Sequence, residues 1–200
     1  MINYLFSGVI PEEAKTLLSQ DLKGVKVLVG ISAGDDAAKN DFYFQQTVET
    51  FKELSSIREV FLLDARTGKE EAQAVLEKAD VIWLTGGNPY TQLRYIRDNG
   101  LESVIMGFDG VVAGLSAGAI NQGKVAYYRA DEDDPSSTKI WDGLGLVNIT
   151  VMPHYDVRDE EEKAEIKIIS QETSLVALPD SSFIVVKDGE PTIYGESHKF

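Results

Sequence analysis

The 200-residue sequence contains no cysteine and only two histidines, His154 and His198. Without cysteine the protein has no disulfides, no thiolate nucleophile and no cysteine-ligated zinc or iron–sulfur cluster. A histidine-based zinc site would need both imidazoles, and His198 stands almost at the end of the sequence, where chains are commonly mobile. We therefore expect no metal and no other cofactor, and a mechanism that needs an imidazole base depends first on His154.

Basic residues and long hydrophobic runs are also scarce. Lysine and arginine number 19 against 33 aspartate and glutamate residues, which gives a formal net charge of −14 at pH 7. This charge repels nucleic-acid phosphates. No run of about 18 apolar residues is present to span a membrane, and the first residues lack the basic start and apolar core of a signal peptide. We therefore expect a cytoplasmic protein that binds neither nucleic acid nor membranes, and the oligomeric state stays open.

Short apolar, β-branched segments alternate with helical patterns over residues 1–122. This alternation is typical of a mostly parallel sheet covered by helices on both faces, and therefore of a three-layer α/β sandwich. Hydrophobic residues make up 43% of the chain and no linker rich in proline, glycine or serine interrupts it, which indicates one domain over residues 1–200. The predicted strands are 2–6, 25–31, 60–63, 81–84 and 111–115, and the predicted helices begin near Asp41, cover 69–78, follow Asn88 and cover 117–122.

The last third of the sequence has a different pattern. Two apolar segments are separated by a polar one, and a helix with an acidic first turn follows, as suits the positive end of a helix dipole. Asp188-Gly189 between two further apolar segments indicates a hairpin at the edge of the sheet. The predicted elements are strands at 124–128 and 146–152, a loop at 129–138, a helix at 159–170 and a hairpin of 183–187 with 191–194.

A Gly-x-Ser-x-Gly pattern at residues 114–118 is the first candidate for chemistry. It follows an apolar strand and precedes a helix, and a sharp turn there would lift the Ser116 hydroxyl above the sheet. The N–H of Ala117, at the start of the helix, would then be free to hold a developing oxyanion. The pattern predicts Ser116 as a nucleophile, and the alternative is a glycine-rich turn without chemistry.

A base and an acid would complete this site. His154 follows Pro153, which ends a predicted strand, so the imidazole is expected at a strand terminus, where open α/β sheets bind ligands. The acid that orients it must be a carboxylate. The residues alone leave several choices open, namely Asp131, Glu132, Asp133 and Asp134 in the polar loop and Asp156 beside the histidine.

The segment Thr85-Gly86-Gly87-Asn88-Pro89 follows another predicted strand and opens a helix. Glycines at such a position let backbone N–H groups approach a ligand. The spacing matches neither a dinucleotide-binding nor a P-loop fingerprint, and no lysine follows. We therefore predict that Gly86 or Gly87 supplies a second oxyanion donor beside Ala117.

Together, the segments 84–88, 114–119 and 153–155 resemble the dipeptidase E (aspartyl dipeptidase) family of serine peptidases in order and spacing. The resemblance implies a fold like that of the class I glutamine amidotransferases, which is flavodoxin-like. It implies Ser116 as nucleophile, His154 as base and Asp131, 15 residues after the serine, as acid. The longer spacing of cyanophycinases would favour Asp134, and an amidotransferase-like arrangement would favour Asp156.

The resemblance also implies a function. The protein would hydrolyse short peptides through an acyl-enzyme, as a dipeptidase or N-terminal exopeptidase with a preference for N-terminal aspartate. Such a preference needs a cation for the substrate carboxylate, and Arg129 and Arg158 are the candidates. The alternatives are a small esterase of the α/β-hydrolase type and a non-catalytic amidotransferase-like domain that binds a ligand in the same crevice.

Overall fold

The computed structural model describes residues 1–200 and contains a seven-stranded central sheet with helices on both faces. The strands are β1 (Ile2–Phe6), β2 (Val27–Ala33), β3 (Glu59–Leu63), β4 (Val81–Gly87), β5 (Val111–Leu115), β6 (Val125–Arg129), β7 (Thr138–Asp142), β8 (Thr150–Met152), β9 (Leu175–Ala177), β10 (Phe183–Lys187), β11 (Glu190–Tyr194) and β12 (His198–Lys199). The helices are α1 (Glu12–Asp21), α2 (Ala37–Leu54), α3 (Lys69–Leu76), α4 (Pro89–Asp98), α5 (Glu102–Met106), α6 (Ala117–Gln122) and α7 (Glu160–Ile169).

The central sheet has the strand order β11-β10-β1-β5-β4-β2-β3. The five strands from β1 to β3 in this order are parallel. The hairpin of β10 and β11 extends the sheet beside β1, with β10 antiparallel to β1 and β11 antiparallel to β10. The carboxyl ends of the parallel strands therefore meet at one edge of the sheet, which is where ligands bind in open α/β folds. The predicted mostly parallel sheet and edge hairpin are confirmed.

Two smaller sheets lie outside the central sheet. Strands β8 and β9 pair in parallel and β12 joins them, whereas β6 and β7 form a separate antiparallel hairpin. The segment 138–142 is therefore a strand that we did not predict, and only the last three residues of the predicted strand 146–152 form β8. Strand β9 has only three residues and was also not predicted.

Alternate residues of the central strands pack against opposite helical layers. In β4, Val81 and Trp83 join a cluster of 16 buried residues with α1 and α2, whereas Ile82 and Leu84 join a cluster of 23 with α3, α4 and α6. Strands that are buried on both faces have continuous apolar sequences, as 81–84 does. Packing on both faces therefore holds β4 in place between the two helical layers.

Side-chain caps set the helix starts at this edge. Asp36 accepts the N–H groups of Ala38 and Lys39 and begins α2 four residues before the predicted start near Asp41. Asn88 accepts the N–H of Thr91, and α4 follows it as predicted. None of the helices is both long and apolar enough to cross a lipid bilayer.

Candidate active site

Ser116 occupies the sharp turn between β5 and α6. Its backbone has φ 49° and ψ −107°, a sparsely populated conformation with positive φ that costs a non-glycine residue about 1–3 kcal/mol. The Ser116 N–H donates to the carbonyl oxygen of Phe6 on the neighbouring strand β1 at 2.9 Å. The turn therefore places Ser116 at the carboxyl edge of the sheet, as the Gly-x-Ser-x-Gly pattern predicts.

The two glycines of this pattern allow close packing around the turn. A Cβ atom at Gly118 would overlap the carbonyl group of Leu84 on β4, and a Cβ atom at Gly114 would overlap the backbone of Gly118. A side chain at either position would push α6 away from the sheet. The pattern is therefore required by the packing of α6 as well as by the position of Ser116.

His154 connects Ser116 to a carboxylate. Its Nε2 lies 2.9 Å from Ser116 Oγ, and its Nδ1 lies 2.6 Å from Oδ1 of Asp180. His154 follows β8 and has φ 61°, so it is a second non-glycine residue with positive φ at this site. The side chains of His154 and Asp180 are 51% and 68% exposed, which leaves these contacts open to a substrate. A base beside a hydroxyl in this way can remove its proton.

Asp180 occupies the position that we expected Asp131 to fill. Asp131 lies in the loop between β6 and β7, where its Oδ1 accepts the N–H of Asp133 at 3.1 Å and its own N–H donates to Ser137 Oγ at 2.8 Å. These contacts join the loop to itself, and the carboxylate at His154 Nδ1 is that of Asp180. The expectation that Asp131 contacts the imidazole is therefore corrected to Asp180.

The two alternative carboxylates also have other partners. Asp134 accepts hydrogen bonds from the Oγ–H and N–H of Ser136, which hold the pKa of its carboxyl below the usual range. Asp156 pairs with Arg158, whose hydrogen bonds lower the pKa of the Asp156 carboxyl to about 2. The hydrogen bonds of the His154 ring involve neither of them.

The pairing of β8 with β9 explains why Asp180 meets His154. These strands are parallel, and their last registered pair is Met152 with Ala177. Because parallel strands end at the same edge, the segments that follow them emerge side by side, and one carries His154 while the other carries Asp180. The signal in the sequence is Leu-Pro-Asp after a short apolar segment, which is too short to be recognised from periodicity.

Two of the predicted oxyanion donors border Ser116. Ala117 is the first residue of α6, so its N–H has no acceptor within the helix. The registered pairing of β4 with β5 ends at Leu84 with Gly114, and Gly86 lies beyond that point. A Cβ atom placed on Gly86 would lie 3.8 Å from Cβ of Ser116, so the Gly86 backbone adjoins the serine.

The third predicted donor, Gly87, packs against β2. It has φ 130°, and a Cβ atom there would lie only 2.8 Å from the carbonyl oxygen of Ala33. Glycine is therefore needed at this position because strands β4 and β2 approach closely where their register shifts. Gly86 is the glycine of this pair whose neighbours include Ser116.

A buried amide network orients the Gly86 peptide. Gln92 of α4 is fully buried, and its Nε2 donates to a carbonyl of β2 at 2.8 Å and to the carbonyl of Thr85 at 3.2 Å. Asn121 of α6 donates to Gln92 Oε1 at 3.0 Å and links the helix after the serine to the same network. Because the C=O and N–H of a trans peptide point in opposite directions, the bond to Thr85 turns the Gly86 N–H away from Gln92.

Both arginines that the sequence suggested as substrate-binding cations are paired within the protein. Arg158 lies 2.6 Å from Asp156. Arg129 lies 3.7 Å from Glu165 and 3.9 Å from Glu161. Burial raises the pKa of the Glu165 carboxyl, while the charge of Arg129 opposes that rise. A substrate carboxylate would have to displace Asp156 from Arg158, whereas Nη1 of Arg129 is buried beside Glu165 without a hydrogen-bond partner.

Arg94 of α4, in contrast, takes part in none of the salt bridges formed by the arginines. Its guanidinium lies 5.8 Å from the ring centroid of Tyr90. It borders a cavity of about 110 Å³ at the carboxyl end of β2, which Asp35 and Asp98 also line. Only β4 separates β2 from β5, the strand that leads to the candidate nucleophile.

A larger groove of about 440 Å³ lies beside His154 and Asp180 and extends to Glu196 and His198. The ring of His198 packs against that of Tyr155 at 5.0 Å, and its Nε2 lies 3.0 Å from a carboxylate oxygen of Glu196. Although both histidines border this groove, no three potential ligand side chains are positioned together to hold a metal ion.

The strand order and the serine turn at the carboxyl edge define a flavodoxin-like α/β protein of the class I glutamine amidotransferase type, and the predicted fold class is confirmed. Within that class, the chain belongs to peptidase family S51, whose family model matches residues 35–194. The protein is therefore a peptidase, and the resemblance to the dipeptidase E family is confirmed.

Individual relatives agree with this membership. The chain is 28% identical over 197 residues to the uncharacterized peptidase Lin0382 of Listeria innocua, covering 92% of this chain and 90% of the relative. It is 23% identical over 199 residues to peptidase E of Shigella flexneri, covering 92% and 83%. The crystal structure of a putative peptidase E protein from Listeria monocytogenes superposes with a TM-score of 0.73 at 22% identity over 96% of this chain and 97% of that one.

Proposed function

We propose that this peptidase is a serine peptidase that releases N-terminal residues from short peptides through an acyl-enzyme. Ser116 is the nucleophile, His154 the base and Asp180 the acid that orients the imidazole. The observation that carries the proposal is the continuous series of contacts from Asp180 through His154 to Ser116, at 2.6 and 2.9 Å. A carboxylate, an imidazole and a hydroxyl in this order form the catalytic triad of serine hydrolases.

Acylation uses the contact between His154 and Ser116. His154 Nε2 takes the hydroxyl proton as Ser116 Oγ forms a bond to the peptide carbonyl carbon, and the carbonyl oxygen becomes an oxyanion. The N–H groups of Ala117 and Gly86 stabilise that charge. The carbon–nitrogen bond then breaks, the leaving amine takes the proton from His154, and an ester on Ser116 is left.

Deacylation runs through the same groups. His154 takes a proton from water as the water oxygen attacks the ester carbon, and a second oxyanion forms at the same N–H groups. The bond from that carbon to Ser116 Oγ breaks, the product leaves as a carboxylic acid, and His154 returns the proton to Ser116. Throughout both steps Asp180 stabilises the imidazolium and keeps Nε2 directed at the serine.

The preference for N-terminal aspartate is supported by the cavity beside β2. Arg94 forms no salt bridge and can bind the aspartyl side chain, while Asp35 and Asp98, which line the cavity together with Asp64, can bind the free α-ammonium group. The cavity lies on the β4 side of Ser116, which is the side of Gly86. This assignment replaces the two arginines suggested by the sequence, because Arg158 is hydrogen-bonded to Asp156 and the guanidinium of Arg129 is mostly buried beside Glu165.

A panel of dipeptides with varied first residues, together with short acyl esters, tests this function by mass spectrometry. We expect the wild type to cleave dipeptides and Ser116→Ala to lose about 10³-fold or more in rate while it stays folded. Ser103→Ala, at an exposed serine of α5, is the matched control and should cleave at the wild-type rate.

Three outcomes of the panel would contradict the proposal. Equal dipeptide cleavage by the wild type and Ser116→Ala would remove Ser116 from the mechanism. Turnover of esters without dipeptides would indicate an esterase. A wild type that binds dipeptides without cleaving any substrate would indicate a non-catalytic binding domain.

A further inference from the structure

We propose that Ser7, a residue outside the triad, is a positioning residue that holds His154 and Asp180 in register; the inference rests on the proposed function. Ser7 follows β1 and is fully buried. Its Oγ accepts the backbone N–H of His154 at 2.7 Å and donates to the carbonyl of Leu178 at 2.8 Å. One hydroxyl therefore binds both segments that carry the base and the acid.

The first of these bonds fixes the backbone from which the imidazole extends. His154 has φ 61°, which costs a non-glycine residue free energy and persists only where the surroundings enforce it. The Ser7 hydroxyl is the acceptor for the N–H of this residue. Because only Cβ joins the ring to this backbone, a change in φ at His154 would move Nε2 relative to Ser116.

The second bond fixes the segment that carries the acid. Leu178 precedes Asp180 by two residues, and its carbonyl also accepts the N–H of Tyr155 at 3.0 Å. Next to Ser7, the N–H of Gly8 donates to the carbonyl of Asp180 at 3.0 Å, and a Cβ atom on Gly8 would overlap the Asp180 carboxylate. The residues that follow β1 thus make several hydrogen bonds to the Asp180 segment.

Substitution of Ser7 should therefore affect catalysis more than substrate binding. Without the hydroxyl, the N–H of His154 loses its acceptor and the Leu178 carbonyl loses a donor, so the base and the acid can shift relative to each other. A displacement of about 1 Å between catalytic groups can cost about 100-fold in rate. We expect Ser7→Ala to lower kcat by about 10- to 100-fold, with KM changed by less than about threefold.

Ser182→Ala is a matched control for this substitution. Ser182 is also a fully buried serine, and its carbonyl accepts the N–H of Ser7, but its own hydroxyl has no hydrogen-bond partner. Ser182→Ala removes a buried serine Oγ near the same segment, as Ser7→Ala does, but it breaks no hydrogen bond. We expect Ser182→Ala to keep the wild-type kcat.

Kinetics, thermal unfolding and proton NMR of these variants together test the inference. The Nδ1 proton of a histidine bound to a carboxylate gives a strongly deshielded signal, which reports on the contact of His154 with Asp180 without turnover. We expect this signal in the wild type and Ser182→Ala and its loss or broadening in Ser7→Ala. Ser7→Cys, which fills the site but hydrogen-bonds weakly, replaces Ser7→Ala if the alanine variant does not fold.

The outcomes separate this inference from the proposed function. A Ser7 variant with kcat within twofold of wild type and an intact Nδ1 signal would overturn the positioning role. A lower unfolding temperature with unchanged kcat and signal would also overturn it, because it would show a purely structural role. If Ser116→Ala instead hydrolyses dipeptides normally, the proposed function fails, and the NMR signal still tests whether Ser7 positions His154.

Discussion

Asp180 Oδ1 lies 2.6 Å from Nδ1 of His154, although 26 residues separate the two in the sequence. We predict that Asp180→Asn lowers kcat about 10³- to 10⁴-fold, because an amide cannot stabilise the imidazolium and favours the wrong tautomer. Dipeptide hydrolysis followed by mass spectrometry measures this loss.

Asp131→Asn is the matched control for that substitution, since Asp131 contacts only its own loop. We expect the wild-type kcat for this variant. A large loss in Asp131→Asn together with wild-type turnover in Asp180→Asn would assign the acid to Asp131 and contradict the geometry.

Arg94→Gln tests the source of any preference for N-terminal aspartate. We predict that kcat/KM for a dipeptide that begins with aspartate falls about 10-fold or more, because a charge-assisted hydrogen bond of about 1.5–3 kcal/mol is lost. The value for the matching alanine dipeptide should change by less than about twofold. Arg97→Gln, on the same helix but paired with Glu102, should leave both values unchanged. An equal loss for both dipeptides in Arg94→Gln would refute the assignment.

Gly118→Ala tests the packing beneath the serine turn. A Cβ atom at this position would overlap the Leu84 carbonyl, so we predict that the substitution lowers the free energy of unfolding by about 1–3 kcal/mol. Gly68→Ala is the control, because Gly68 has φ −74° and no atom lies within 4 Å of the added Cβ. Gly68 is the N-cap of α3, where glycine is preferred to alanine, so the loss should stay below about 1 kcal/mol in urea unfolding. Similar midpoints for the two variants would contradict the close approach of α6 and β4.

The Glu165 carboxyl makes the free energy of unfolding fall as the pH rises. Burial raises the pKa of its carboxyl above the ordinary value of 4.5. The Glu165 carboxyl therefore binds a proton more readily in the folded state than in the unfolded state. Its contribution to the free energy of unfolding is lost as the pH rises through the raised pKa. The charged and polar groups that act on Glu165 are Arg129, Thr138, Glu162 and Asp159.

Glu165→Gln should remove this dependence. We predict that the unfolding free energy of the variant rises relative to that of the wild type as the pH is raised from about 4 to about 7. Glu172→Gln, at an exposed position, is the control and should follow the wild type. Urea unfolding at several pH values checks this, and a difference that is constant or falls with pH would contradict it.

The sequence predicted those strands and helices whose pattern of apolar residues matches their burial in the fold. Strands 2–6 and 111–115 and helix 117–122 have the predicted bounds, because buried strands and the serine turn have strong local signals. The contact of Ser116 with His154 joins two segments that the sequence selected. Asp180 was missed because it depends on the pairing of two three-residue strands, which has no local signature.

Labelling with a fluorophosphonate probe tests the central claim most directly, because the probe reacts with a serine that an adjacent base activates. We predict that peptide mapping of the labelled protein finds the added mass on Ser116. Labelling should be absent in Ser116→Ala and slowed strongly in His154→Gln. Equal labelling of Ser116→Ala, or a folded wild type that does not react, would contradict the account.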